Sequence, residues 1–165
     1  LEACELLPFQ RAISTGVEII MTAHVIFPWL DEHNPATMSK AILQGILREK
    51  FNYQNLIVSD DMEMKAVRGR YPLKEQLDKS CRAGVDLFLV CSESGLQQEC
   101  FETLIHLQEE SSVHERLADD SLKRLHKLRT RFFLQREKLP SLGSVGCMRH
   151  ADLCQWVRER GGEEC

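Results

Sequence analysis

The sequence predicts an α/β fold in which short parallel strands alternate with helices, and three observations support it. Residues 17–23, 56–59 and 85–91 are short, nearly continuous apolar runs flanked by turn residues, the pattern of strands covered on both faces. Helical periodicity fills the intervals between them, which argues for βαβ units with right-handed crossovers. Residues 11–18 and 80–86 also share one grammar: helix end, Gly, Val, acid, strand. That repeat fits a barrel or a doubly wound sheet and does not distinguish them.

The elements follow in order. Gly16 introduces the first strand. Residues 39–50 place Ile42, Leu43, Ile46 and Leu47 on one helical stripe. Residues 73–83 form a helix that stops at Gly84. A further helix is expected at 96–108, and a long amphipathic one at 113–138, ending before Pro140. Within it Asp120 lies four residues before Arg124, a favourable pair on an exposed face. Residues 141–146 read as a linker, 150–160 as a short helix and 161–165 as a frayed end.

At 165 residues the chain can bury one substantial core. Its 43% hydrophobic and 28% charged content is that of an ordinary soluble globular protein. A net charge of −4 with scattered basic residues gives no footprint for nucleic acid. No apolar run approaches the ~18 residues of a membrane helix, so no membrane partner is expected. Seven cysteines at irregular spacing, without a CxxC pair, suggest neither a disulfide framework nor a zinc site. Unpaired thiols favour a reducing compartment, and a cytoplasmic location is expected. No signal peptide is visible, and an opening at Leu1 rather than Met reads as a cut.

The most informative stretch is Asn55-Leu56-Ile57-Val58-Ser59-Asp60-Asp61-Met62-Glu63-Met64. An apolar run ends abruptly in two carboxylates, and a helix-like pattern follows. Catalytic groups gather at the carboxyl ends of parallel strands. If the strand stays extended, Asp60 and Asp61 point in opposite directions; one can face a pocket while the other caps a helix or meets solvent. His33, His106, His114, His126 and His150 lie in polar or helical-surface contexts and read as solvated, with no metal-ligand spacing.

Leu6-Leu7-Pro8-Phe9, Met21-Thr22-Ala23-His24-Val25 with Pro28 and Asp31, and Val58-Ser59-Asp60-Asp61-Met62-Glu63-Met64 together resemble the catalytic domain of glycoside hydrolase family 3, in its β-N-acetylglucosaminidase (β-N-acetylhexosaminidase) branch. The likeness continues through Ala83-Gly84-Val85-Asp86-Leu87 and Ser121-Leu122-Lys123-Arg124-Leu125, covering roughly residues 1–136. It implies the C-terminal part of a (β/α)8 TIM barrel, about three βα units of eight, in a retaining exo-hydrolase of carbohydrate metabolism. Asp60 is then the nucleophile, and Met21 and His24 line the pocket of the terminal sugar. The partner implied is a terminal β-linked amino sugar or oligosaccharide, with no cofactor and no metal.

Two family loops have no match in this chain: the sugar-gripping Lys-His-Phe-Pro-Gly loop and the Asp-Ser/Thr-His loop that supplies the acid/base. Residues 1–138 are therefore expected to be a partial barrel, and 139–165 a linker with a short helix. Little or no hydrolysis is expected of the chain alone. Two other readings compete. A catalytically inert half-barrel would serve as an interaction module and self-associate through its open sheet edge. A receiver-like phosphoacceptor would need an early acidic pair and a late Lys, which are not found in order.

Overall fold

The computed structural model describes residues 4–134, 143 and 146–160. The chain divides into two compact units, Leu1–Thr130 and Arg131–Cys165. In the first, helix α1 (Leu7–Ser14) precedes strand β1 (Ile19–Met21), then a small antiparallel hairpin of β2 (Ile26–Phe27) and β3 (Asp31–Pro35). A 3-10 turn (Ala36–Met38) and a widened helix (Ala41–Lys50) lead into strand β4 (Leu56–Asp61). Helix α2 (Leu73–Ala83), strand β5 (Leu87–Leu89) and helices α3 (Ser94–Glu110) and α4 (Ser112–Leu134) follow. In the second unit α5 (Met148–Arg160) is exposed throughout, and Arg160 stacks over the Trp156 ring at 4.7 Å.

β1, β4 and β5 form one parallel sheet in that order. Each successive parallel strand thus lies beside the previous one, with a helix between, as the alternation of apolar runs and helical patterns predicts. No closed barrel is present among the described residues. Ile20, Ile57 and Phe88 turn to the helices, in a core of Leu43, Leu47, Tyr53, Ala83 and Val85. A second core of Met62, Leu77, Cys100 and Leu107 lies between α2 and α3, and Phe88 touches both.

Three expectations change. Strands covered on both faces were expected; only β4, flanked on each side, is buried, from Leu56 to Ser59. β1 is an edge strand, and Ile19 and Met21 are 44% and 56% exposed. The helix pattern after Asp61 is replaced by turns over residues 62–70, so α2 begins only at Leu73. The hairpin β2–β3 was not expected, because β2 has only two residues and β3, Asp31–Pro35, carries no alternating apolar pattern to read. The helix at 41–50 closes with an i to i+5 bond, Phe51 N–H to Ile46 O at 3.0 Å.

The lower end of the sheet is fixed by one buried carboxylate. Asp86, with a fully buried side chain, accepts hydrogen bonds from Arg48 Nη2 (2.9 Å), Ile57 N (2.8 Å), Ser121 Oγ (2.7 Å) and Arg124 Nε (2.9 Å). Arg48 also donates to the carbonyls of Tyr53 and Asn55. Burial pulls the Arg48 pKa down, and the facing Asp86 carboxylate opposes that shift. Arg124 is therefore not the partner of Asp120, as its spacing suggested; Lys123 holds Asp120 at 2.9 Å. A buried acceptor outcompetes a solvated one for the guanidinium.

His114 departs from expectation in the same way. It is 4% exposed on α4, with Nε2 2.9 Å from Asp78 Oδ1 of α2, close but not aligned as a hydrogen bond. The α2–α4 packing sinks a residue that its own helix would leave on the surface. No described helix is long and apolar enough to cross a membrane.

Candidate active site

β4 delivers three acidic residues to its carboxyl end: Asp60, Asp61 and Glu63. The register between β4 and β5 shifts between Val58 and Asp61, so strict alternation of side chains fails there and hydrogen bonds decide the orientations. Ser59 Oγ accepts the Leu89 amide at 2.9 Å across the irregularity. Met62 N–H donates to Leu89 O at 2.9 Å beyond it.

The three carboxylates then have different fates. Asp61 Oδ1 accepts the Glu63 amide at 3.1 Å and, more weakly, the Cys91 amide at 3.4 Å. Glu63 Oε1 accepts the amides of Ser92 and Glu93, both at 2.7 Å. Asp60 is half-buried, and its Oδ1 accepts only the next amide, Asp61 N at 2.9 Å. Among the described residues it has no other hydrogen-bond or ion-pair partner. Side chains 61 and 63 are turned onto the β5–α3 loop through the amides of Cys91, Ser92 and Glu93, whereas Asp60 accepts only the amide next to it in sequence.

His24 secures the same strand end from the other side. It is 8% exposed, with Nε2 3.0 Å from the Asp61 carbonyl and Nδ1 3.0 Å from Thr37 Oγ1. Thr37 Oγ1 in turn lies 2.8 Å from Thr22 Oγ1. A carbonyl oxygen only accepts, so Nε2 carries the proton. In the neutral ring Nδ1 then accepts from the Thr37 hydroxyl, which accepts from Thr22. The chain of bonds runs from β1 through the 3-10 turn to the backbone of Asp61.

Met21 is elsewhere. It pairs in register with Val58 and lines an apolar cavity of about 410 Å³ beside β1, together with Phe9, Ile20, Phe27 and Ile46. Neither Asp60 nor His24 lines that cavity. The chain thus brings His24 to the acidic strand end and leaves Met21 in apolar surroundings. Among the described residues no group of three or more His, Cys, Asp or Glu side chains is arranged to hold a metal.

Sequence reasoning missed Glu63, Ser59, Thr22 and Thr37. A Ser or Thr inside a strand gives no signal when its partner lies on another element. For Glu63 the only hint was a third acid within four residues.

Residues 1–128 match the glycosyl hydrolase family 3 N-terminal domain. The β-hexosaminidase of Nitrosomonas eutropha is 36% identical over 104 residues, 63% of this chain and 30% of that protein. The β-hexosaminidase of Tolumonas auensis is 41% identical over 95 residues, 56% of this chain and 28% of that protein. Among solved structures, a family 3 β-N-acetylglucosaminidase from a Paenibacillus species superposes with a TM-score of 0.81 at 31% identity, covering 94% of this chain and 30% of that one. The β-N-acetylglucosaminidase of Thermotoga maritima gives 0.69 at 32% identity, over 74% and 27%. The chain spans about 30% of the length of these relatives, and on the match over residues 1–128 it belongs to glycosyl hydrolase family 3.

Proposed function

We propose that this chain contributes the nucleophile of a retaining exo-β-N-acetylglucosaminidase, with Asp60 in that role. The observation that carries the reading is the sorting of the three carboxylates: Asp61 and Glu63 are tied to amides of the β5–α3 loop, and Asp60, at the strand end, accepts only the amide that follows it. A retaining glycosidase needs an ionised carboxylate that attacks the anomeric carbon, forms a covalent glycosyl-enzyme and yields to water. Held on a buried strand, such a carboxylate loses little freedom in reaching the transition state. It also stabilises the developing oxocarbenium charge.

The other roles follow. The family resemblance assigns Met21 to the wall around a terminal β-linked amino sugar, although the cavity it lines in this chain does not include Asp60. His24, with both ring nitrogens engaged, acts on the nucleophile by fixing the Asp61 backbone and so the carboxylate beside it. The family's acid/base loop has no counterpart here, and losing general acid catalysis costs about 10²–10⁴-fold. The chain alone is therefore expected to hydrolyse aryl N-acetylglucosaminides negligibly, and a cytoplasmic site of action goes with its unpaired thiols.

An activated β-N-acetylglucosaminyl fluoride tests the assignment, because fluoride leaves without a general acid. The bond from the anomeric carbon to fluorine breaks as the bond to an Asp60 oxygen forms. Intact mass should show one glycosyl adduct, peptide mapping should place it on Asp60, and Asp60→Asn should remove it. An adduct on another carboxylate, or none, overturns the role.

A second reading rests on β1. Its edge, unpaired among the described residues, and the exposed Ile19, Met21 and Phe27 suit a half-barrel that binds another copy through this strand. A monodisperse monomer in sedimentation would remove it.

A further inference from the structure

We propose that Glu63 is a positioning residue: it clamps the loop that carries Asp60 to the start of helix α3, and so sets where the nucleophile's carboxylate lies. The inference rests on Asp60 being the nucleophile and adds a residue that the reaction needs but that never touches the sugar.

Helix α3 begins without the usual aids. Its N-cap, Glu93, makes no side-chain capping bond, and its first turn holds no acidic residue. Immediately before the helix, Glu63 Oε1, about 30 residues upstream, takes the amides of Ser92 and of the N-cap Glu93 at 2.7 Å each. A carboxylate receiving two N–H groups near the positive end of a helix is a strong, charge-assisted contact. Glu93, freed from capping, pairs instead with Arg68 of the β4–α2 loop. The two loops are thus cross-connected in both directions.

The clamp has a geometric consequence for Asp60. Between Ser59, bonded to the Leu89 amide, and Glu63, bonded to the Ser92 and Glu93 amides, lie only Asp60, Asp61 and Met62. Met62 is pinned through its own amide to Leu89 O, and Asp61 leans on the Cys91 amide. With both ends of this short arch fixed to β5 and the start of α3, the backbone of Asp60 has one seat. Without Glu63 the arch keeps the Met62 amide bond to Leu89 O and the His24 bond to the Asp61 carbonyl, but loses its tie to the start of α3, and the 3.4 Å contact of Asp61 is too long to replace two bonds at 2.7 Å.

The test uses the 165-residue chain in three forms: wild type, Glu63→Ala and Glu63→Gln. Gln keeps a neutral oxygen in place of Oε1, so it retains the acceptor and loses only the charge. Amide hydrogen exchange should show protection at Ser92 and Glu93 falling roughly ten- to a hundredfold in Glu63→Ala, and largely retained in Glu63→Gln. With the activated glycosyl fluoride, the maximal labelling rate of Asp60 should drop about a hundredfold in Glu63→Ala, with the half-saturating concentration unchanged, and recover in Glu63→Gln. Unchanged protection in Glu63→Ala overturns the clamp. Lost protection with an unchanged labelling rate overturns its link to the nucleophile, as does a change confined to half-saturation. Labelling of the wild type that survives Asp60→Asn instead overturns the nucleophile assignment, while the exchange measurements still judge the clamp.

Discussion

Replacing Asp86 by Ala should be among the most damaging single changes available to this chain. The side chain has no solvent exposure, and its removal leaves Ile57 N–H, Ser121 Oγ and two guanidinium groups without their acceptor. Arg48, with 11% of its side chain exposed, and Arg124, with 27%, would then face each other across the vacated site. Breaking a buried pair by deleting one partner costs about 3–5 kcal/mol, mostly because the remaining charge is stranded. Against a total stability of roughly 5–15 kcal/mol that is a large fraction. A melting temperature lower by about 6–20 °C follows at ~2–4 °C per kcal/mol for a chain of this size. Urea unfolding followed by far-ultraviolet circular dichroism measures the change directly. A loss below about 1 kcal/mol would refute the argument, since solvent or a neighbouring acid would then be neutralising both arginines.

Two further outcomes are expected. Thr37→Val removes the donor to His24 Nδ1 and the acceptor for Thr22 Oγ1, and should cost about 1–3 kcal/mol in urea unfolding for the buried groups left unpaired; no change would mean that the relay is not formed. Tyr53, buried and donating to Leu56 O at 2.9 Å, has its phenol pushed up to about 12, chiefly by burial. A raised folded-state value means a stabilising contribution intact below pH ~10, the unfolded-chain value, and lost as pH climbs through about 12. Unfolding free energy should therefore fall over that window, and Tyr53→Phe should flatten the fall; identical pH profiles would contradict it.

Much of the fold was legible because apolar period and punctuation are local signals. Gly84 announced the end of α2, where it adopts φ +109 at the C-cap. Residues 56–59 read as buried strand because β4 has a neighbour on each side. The same reasoning overstated β1, whose exposure depends on what lies next to it rather than on its own composition. At the site, Asp60 was marked by the abrupt end of an apolar run. Which of the two aspartates would be tied to the loop after β5 was not visible, because that depends on the shifted register against β5 and on an amide 30 residues downstream. Asp86 stood in plain view inside an apolar run, where an acid demands buried partners. Arg48 and Arg124 could not be named without the packing that brings the widened helix and α4 to it.

Phe88 has a consequence beyond its strand. A single ring wedged between the core under the sheet and the core between α2 and α3 gives the two clusters a shared wall. Loosening either one frees the other, so the first unit should melt as one body rather than shed its outer helices piecemeal. The seat of the nucleophile then lasts only as long as the helices behind it stay docked.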